Sequence, residues 1–91
     1  MRLRWTPSAA ADLQSINDYL KERHPSYRHP TLRQLYEKIR SLKQAPYSGR
    51  LGSIDGTREL LFLPLPYIAV YRVNAEAIEI LRIYHAAQDR R

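Results

Sequence analysis

Hydrophobic positions along the chain fall into two regimes. In the first, Ala9, Leu13, Ile16 and Leu20 recur at three- and four-residue spacing, the period of a helix with one apolar face. Thr6 supplies a helix cap and Pro7 suits the first helical position, where no hydrogen bond is lost. The helix is predicted from about Pro7 to about Arg23. His24-Pro25 ends it, because a residue before proline is pushed out of the α region. Leu32, Leu35, Tyr36, Ile39 and Leu42 predict a second helix, with Arg33, Glu37, Arg40 and Lys43 on its solvated side and Ala45-Pro46 as its stop. Residues Pro25 to Pro30 read as the connector of an αα-hairpin. Ahead of it, Leu3 and Trp5 flank Arg4 in a short alternating run that suggests an edge strand.

After the turn-rich stretch Pro46 to Gly52 the pattern changes. Arg58 to Leu63, Tyr67 to Val73 and Ile78 to His85 are rich in Leu, Ile, Val and Tyr. Pro64-Leu65-Pro66 and Asn74-Ala75-Glu76 separate them at hairpin-like intervals, so a three-stranded antiparallel meander is predicted. The whole is one α+β domain over residues 1–91. Alternation within the strands is poor. Ile78 and Ile80 would face one way and Leu81 and Ile83 the other, while Ile68 and Val70 oppose Ala69, Tyr71 and Val73. A sheet apolar on both faces needs cover on both faces, and the helices can supply only one. Either a pocket or a second chain takes the other; the reading favours a second chain.

Composition narrows the partner. The net charge of +6 across 91 residues favours acidic partners, such as nucleic acid, a ribosome or an acidic protein segment. Cysteine is absent, which excludes disulfides, thiolate zinc sites and a cysteine nucleophile and is compatible with a reducing cytoplasm. No run approaches the roughly 20 apolar residues of a membrane span, and Met1 to Trp5 lack the apolar core of a signal peptide. His24 and His29 lie in the expected connector without a third ligand at sensible spacing, so neither a metal nor another cofactor is expected.

Five stretches, taken in order, resemble the RelE/ParE superfamily of type II toxin–antitoxin toxins. They are Trp5-Thr6-Pro7-Ser8-Ala9-Ala10-Ala11-Asp12-Leu13 with Ile16 and Tyr19-Leu20; Leu42-Lys43-Gln44-Ala45-Pro46 through Gly49-Arg50; Thr57-Arg58-Glu59-Leu60; Pro66-Tyr67-Ile68-Ala69-Val70-Tyr71-Arg72-Val73; and Ile80-Leu81-Arg82-Ile83-Tyr84-His85-Ala86-Ala87-Gln88-Asp89-Arg90. Pro30 departs from the pattern, in which the second helix opens slightly earlier. The resemblance implies a cytoplasmic growth inhibitor of the plasmid-stabilisation type, neutralised by a cognate antitoxin with an acidic, partly disordered segment. Residues Leu61, Leu63, Tyr71, Leu81 and Ile83 are the expected antitoxin-binding set, on the sheet face away from the helices.

The superfamily divides by target, and the resemblance implies two alternatives. One branch cleaves mRNA on the ribosome without a metal. It uses lysines or a glutamate on the first meander strand, an arginine on the middle strand and a histidine or tyrosine near the C-terminus. Here Leu61, Phe62 and Leu63 stand in place of the lysines, Ile68 in place of the arginine, and Ala86 follows His85. Only His85 clearly matches, with Arg58, Arg72 and Arg82 as the cations a ribonuclease would have to recruit. His85 reads first as a structural residue at a strand end, bonded to backbone. Arg58 and Arg72 read as strand residues paired with Glu59 or Glu79, and Arg82 as a contact for phosphate or for an antitoxin carboxylate. The Thr57-Arg58-Glu59-Leu60 run, Tyr71-Arg72-Val73 and the ending after His85 look more like the ParE branch, which inhibits DNA gyrase by binding and is not an enzyme. That branch is the favoured expectation.

Overall fold

The computed structural model describes residues 1–88. Strand β1 (Arg2–Trp5) leads into helices α1 (Pro7–Arg23) and α2 (Pro25–Arg40), followed by β2 (Arg50–Leu51), β3 (Arg58–Leu61), β4 (Tyr67–Val73) and β5 (Ala77–His85). The strands form one mixed sheet in the order β1-β5-β4-β3-β2. β1 runs parallel to β5, and the other pairs are antiparallel. The α+β class, the edge position of β1 and the meander are as expected. The two-residue β2 is an addition, made where only turns were predicted. β3 ends at Leu61, two residues short of the expected Leu63.

Thr6 explains how α1 starts and where it sits. Its backbone is extended and its hydroxyl oxygen accepts from the Ala9 amide, satisfying one of the orphan donors of the first turn. The same hydroxyl lies 3.0 Å from the carbonyl oxygens of Ile80 and Leu81, so the cap is tied to β5. His24 breaks the chain at φ −144° and ψ 61°, as the following proline requires.

The connector expected over Pro25 to Pro30 is instead the first part of α2. Pro25 opens the helix at a position where its missing N–H costs nothing, and His24 alone makes the turn. Pro30 sits in the sixth helical position and forgoes a single bond, to the Ser26 carbonyl. α2 ends at Arg40, short of the expected stop at Ala45-Pro46, and a 3-10 turn over Ser41–Lys43 follows. Leu35 and Ile39 of α2 and Leu42 of that turn are buried, while Tyr36 is 49 % exposed and lies against Trp5 with ring centroids 5.9 Å apart.

The poor alternation in β5 has a structural cause. Val70 pairs with Arg82 and the next residue, Tyr71, pairs with Ile80, leaving Leu81 as an extra residue. This β-bulge resets the side-chain period. Ile78, Ile80 and Ile83 therefore all face the helices, joining Leu60, Ala69, Tyr71, Leu35 and Ile39 in one core. The expectation that Ile83 faces the opposite way is corrected by this bulge.

The second sheet face is also more polar than expected. Glu79 lies between Arg4 at 2.9 Å and Arg72 at 2.7 Å, and Glu59 pairs with Arg50 at 2.8 Å. Both acids are buried beneath their arginines. Among the described residues, Leu61, Ile68, Val70 and Tyr84 give this face apolar character, alternating with the core residues along β3, β4 and β5.

The hydrogen bond from Arg72, then the charges of Arg4 and Arg72, hold the Glu79 carboxyl below its ordinary range despite the opposing effect of burial. A depressed carboxylate stabilises the fold above the unfolded pKa and loses that contribution as pH falls through the folded one. Stability should therefore drop from about pH 5 downward. Glu79→Gln should flatten that acid limb in urea titrations at pH 7, 5 and 3. An unchanged pH profile would show that Glu79 does not carry it.

Candidate functional site

A groove of about 560 Å³ opens between α1 and the last residues of β5. Asp12, Ser15, Ile16 and Tyr19 form its helix wall; Tyr67, Arg82, Ile83, Tyr84 and His85 form its sheet wall. It exists because β1 stops at Trp5, pairing only with Ala77 to Ile80 and leaving the rest of β5 as an edge. Asp12 covers part of that edge. Its carboxylate accepts from the Ile83 amide at 2.9 Å and from Arg82 at 2.7 and 3.1 Å, a bidentate pair. This contact raises the Arg82 pKa further above its ordinary value.

His85 stands opposite Tyr67 on β4, with the rings edge to face at 5.6 Å. Its Nδ1 accepts from the Ala87 amide at 3.0 Å, which assigns the proton of the neutral ring to Nε2. Burial, reinforced by the nearby Tyr19, pushes the Tyr67 phenol above its usual range. Tyr67 is thus a hydrogen-bond donor and not a base at neutral pH. The Asp12 carboxylate is committed to a guanidinium and an amide. A 2′-hydroxyl entering this groove would find the imidazole Nδ1 lone pair and the Asp12 carboxylate already engaged.

The other candidate cations are elsewhere. Arg72 is on the outer sheet face, bonded to Glu79. Arg58 donates to the carbonyls of Tyr47 and Gly49 and lies 5.1 Å from the centre of the Tyr47 ring. It pairs with Tyr71, four residues along β4 from the residue opposite His85, a separation of about 13 Å along the strand alone. Of the four residues a ribonuclease would recruit, the fold brings only Arg82 and His85 into one groove.

The expected antitoxin set divides in the same way. Leu63 is 76 % exposed, and Leu61 and Leu81 are partly exposed. Tyr71 and Ile83 are core residues, 0 % and 2 % exposed, and present no surface to a partner. His24 of the former connector contacts the rings of Tyr19 and Tyr27. Sequence reasoning missed Asp12, Tyr19 and Tyr67 as groove residues. Asp12, Ser15, Ile16 and Tyr19 are spaced so as to share one face of α1, which was the available signal.

A helix hairpin on one side of a mixed sheet, with strand order β1-β5-β4-β3-β2, defines the RelE/ParE class of small α+β proteins. The family model described as "ParE toxin of type II toxin-antitoxin system, parDE" matches residues 3–90, and the chain belongs to that family. It is 36 % identical over 87 residues to the putative toxin Y4kP of Sinorhizobium fredii, covering 96 % of this chain and 90 % of the relative. It is 37 % identical over 84 residues to toxin RelE2 of Caulobacter vibrioides, covering 92 % and 93 %. Among solved structures, a chain of the chromosomal ParDE toxin–antitoxin system from P. aeruginosa aligns at TM-score 0.82 with 34 % identity, covering 93 % of this chain and 95 % of that one. Asp89 and Arg90, at the end of the last stretch that resembles the superfamily, lie outside the described residues. No helix among the described residues is long and apolar enough to cross a membrane.

Proposed function

We propose that this toxin arrests growth by binding DNA gyrase rather than by cleaving RNA, and that a cognate antitoxin holds it in check. One observation carries the choice of target. The residues that would have to act together as a ribonuclease are dispersed and committed: Arg72 to Glu79, Arg58 to loop carbonyls, Arg82 to Asp12. Arg82 is the one of these cations on the groove wall with His85, and it is held by Asp12, while the Nδ1 of His85 is occupied by the Ala87 amide. The similarity to a chain of a ParDE system supports an antitoxin as the physiological partner. Leu61, Leu63 and Leu81 are the residues of the expected set that such a partner could cover.

A ribosome-dependent mRNA endonuclease is the second reading. It is favoured by one feature, the presence of Arg82 and His85 on the same groove wall. Pulse labelling after expression of the chain alone separates the two. Under gyrase inhibition, thymidine incorporation falls before leucine incorporation, and His85→Ala arrests growth as the parent does. Translation stopping first, with arrest abolished in His85→Ala, would establish the endonuclease instead.

A further inference from the structure

We propose that the tip of the helix hairpin is a contact for single-stranded nucleic acid, with Tyr19 and Tyr27 stacking on bases and Arg23 pairing with phosphate. The proposal does not depend on which target the toxin inhibits. Its first support is an aromatic series outside the core. Tyr19, His24 and Tyr27 are in successive ring contact, with centroids 5.9 and 6.2 Å apart. Tyr19 is 50 % exposed and Tyr27 63 %. Both rings lie outside the core and leave half or more of their surface open to solvent.

Charge is the second support. Residues 19–29 carry Lys21, Arg23 and Arg28 against the single acid Glu22. The ion pairs that hold Arg4, Arg50, Arg72 and Arg82 lie on the sheet or at its edge, and Lys21, Arg23 and Arg28 take part in none of them. Arg23 has its guanidinium 5.9 Å from the Tyr19 ring centre, and Arg28 is braced by the Asn17 side chain at 3.0 Å. Asp18, the nearest further acid, is engaged by Gln14 along α1.

Cations interleaved with exposed aromatic rings distinguish the partner. An acidic peptide would need the cations and leave the rings unused. A duplex would offer phosphates but keep its bases stacked inside. A single strand uses both, because every base has a π-face and every linkage an anion.

The test is fluorescence anisotropy with the purified full chain and a labelled oligothymidylate, alongside a duplex of the same length and polyglutamate as competitor. Tyr27→Ala and Tyr19→Ala should each weaken oligothymidylate binding about tenfold, within the range of base–aromatic stacking. Tyr27→Phe, which keeps the ring, should bind like the parent, and Tyr27→Leu should not. Arg23→Gln should reduce the slope of log affinity against log salt by about 0.7, one phosphate contact on a single strand. Thermal melting of each variant checks the fold. Absence of binding at low salt would overturn the proposal. So would tyrosine variants that bind like the parent, whether the duplex binds equally well, which assigns the surface to backbone charge, or polyglutamate displaces the strand, which assigns it to acidic protein.

Discussion

Tyr71→Ala is expected to lower stability by about 3–5 kcal/mol, the usual cost of deleting a fully buried aromatic side chain. For a domain of this size, whose total stability is about 5–13 kcal/mol, that removes a large share. Tyr71 is 0 % exposed and sits where three strands meet, opposite Arg58 on β3 and Ile80 on β5. Its hydroxyl donates to the Pro46 carbonyl at 2.8 Å and accepts from the Gly49 amide at 2.9 Å, so it also anchors the loop that leads into β2. Tyr71→Phe keeps the ring and removes both bonds. It should cost about 1–3 kcal/mol, the penalty for leaving buried backbone groups unpaired. Gly49 is part of the same joint, since a Cβ there would lie 2.7 Å from the Tyr71 hydroxyl and 2.8 Å from the Glu59 carbonyl. Gly49→Ala should therefore destabilise even though it adds one methyl group. Urea denaturation followed by Trp5 fluorescence gives the order: alanine most destabilised, phenylalanine intermediate. A phenylalanine variant as stable as the parent would mean that the loop is held by other contacts.

Asp12→Ala should be the next most damaging polar substitution, at about 2–4 kcal/mol. Hydrogen bonds to a charged acceptor are worth more than neutral ones, and Asp12 serves a guanidinium and the Ile83 amide together. The two partners contribute unequally. The Arg82 side chain is 58 % exposed, so the ion pair is screened and Arg82→Ala should cost under about 1 kcal/mol. The Ile83 amide has no neighbouring strand there, because β1 has ended. Asp12→Asn, which keeps an acceptor and loses the charge, should fall between. Hydrogen exchange reads this directly: the Ile83 amide should lose protection in Asp12→Ala and retain it in Arg82→Ala. Equal effects of the two substitutions would show that the ion pair, not the amide bond, fastens α1 to the sheet.

Much of the architecture was legible because local signals agreed. Thr6-Pro7 and His24-Pro25 placed both ends of α1, and the spacing of Leu35, Ile39 and Leu42 placed the buried side of α2 and of the 3-10 turn after it. Two features were misread for physical reasons. Proline marks both stops and starts, so Pro25 to Pro30 read as a loop although Pro25 opens α2 and Pro30 is tolerated inside it. The bulge at Leu81 is invisible to a period-two reading, which placed Ile83 on the wrong face and made the sheet look apolar on both sides. The site was less legible than the fold. His85 and Arg82 could be named from sequence, but the Asp12 and Tyr67 that constrain them come from elements distant in the chain.

A supercoiling assay with purified DNA gyrase, the isolated toxin and its His85→Ala variant tests the mode of action most directly. If the toxin acts by binding, both proteins inhibit supercoiling to the same extent and trap cleaved DNA. Contradiction would be gyrase that works normally at high toxin concentration, together with codon-positioned mRNA cleavage on ribosomes that disappears in the His85→Ala variant.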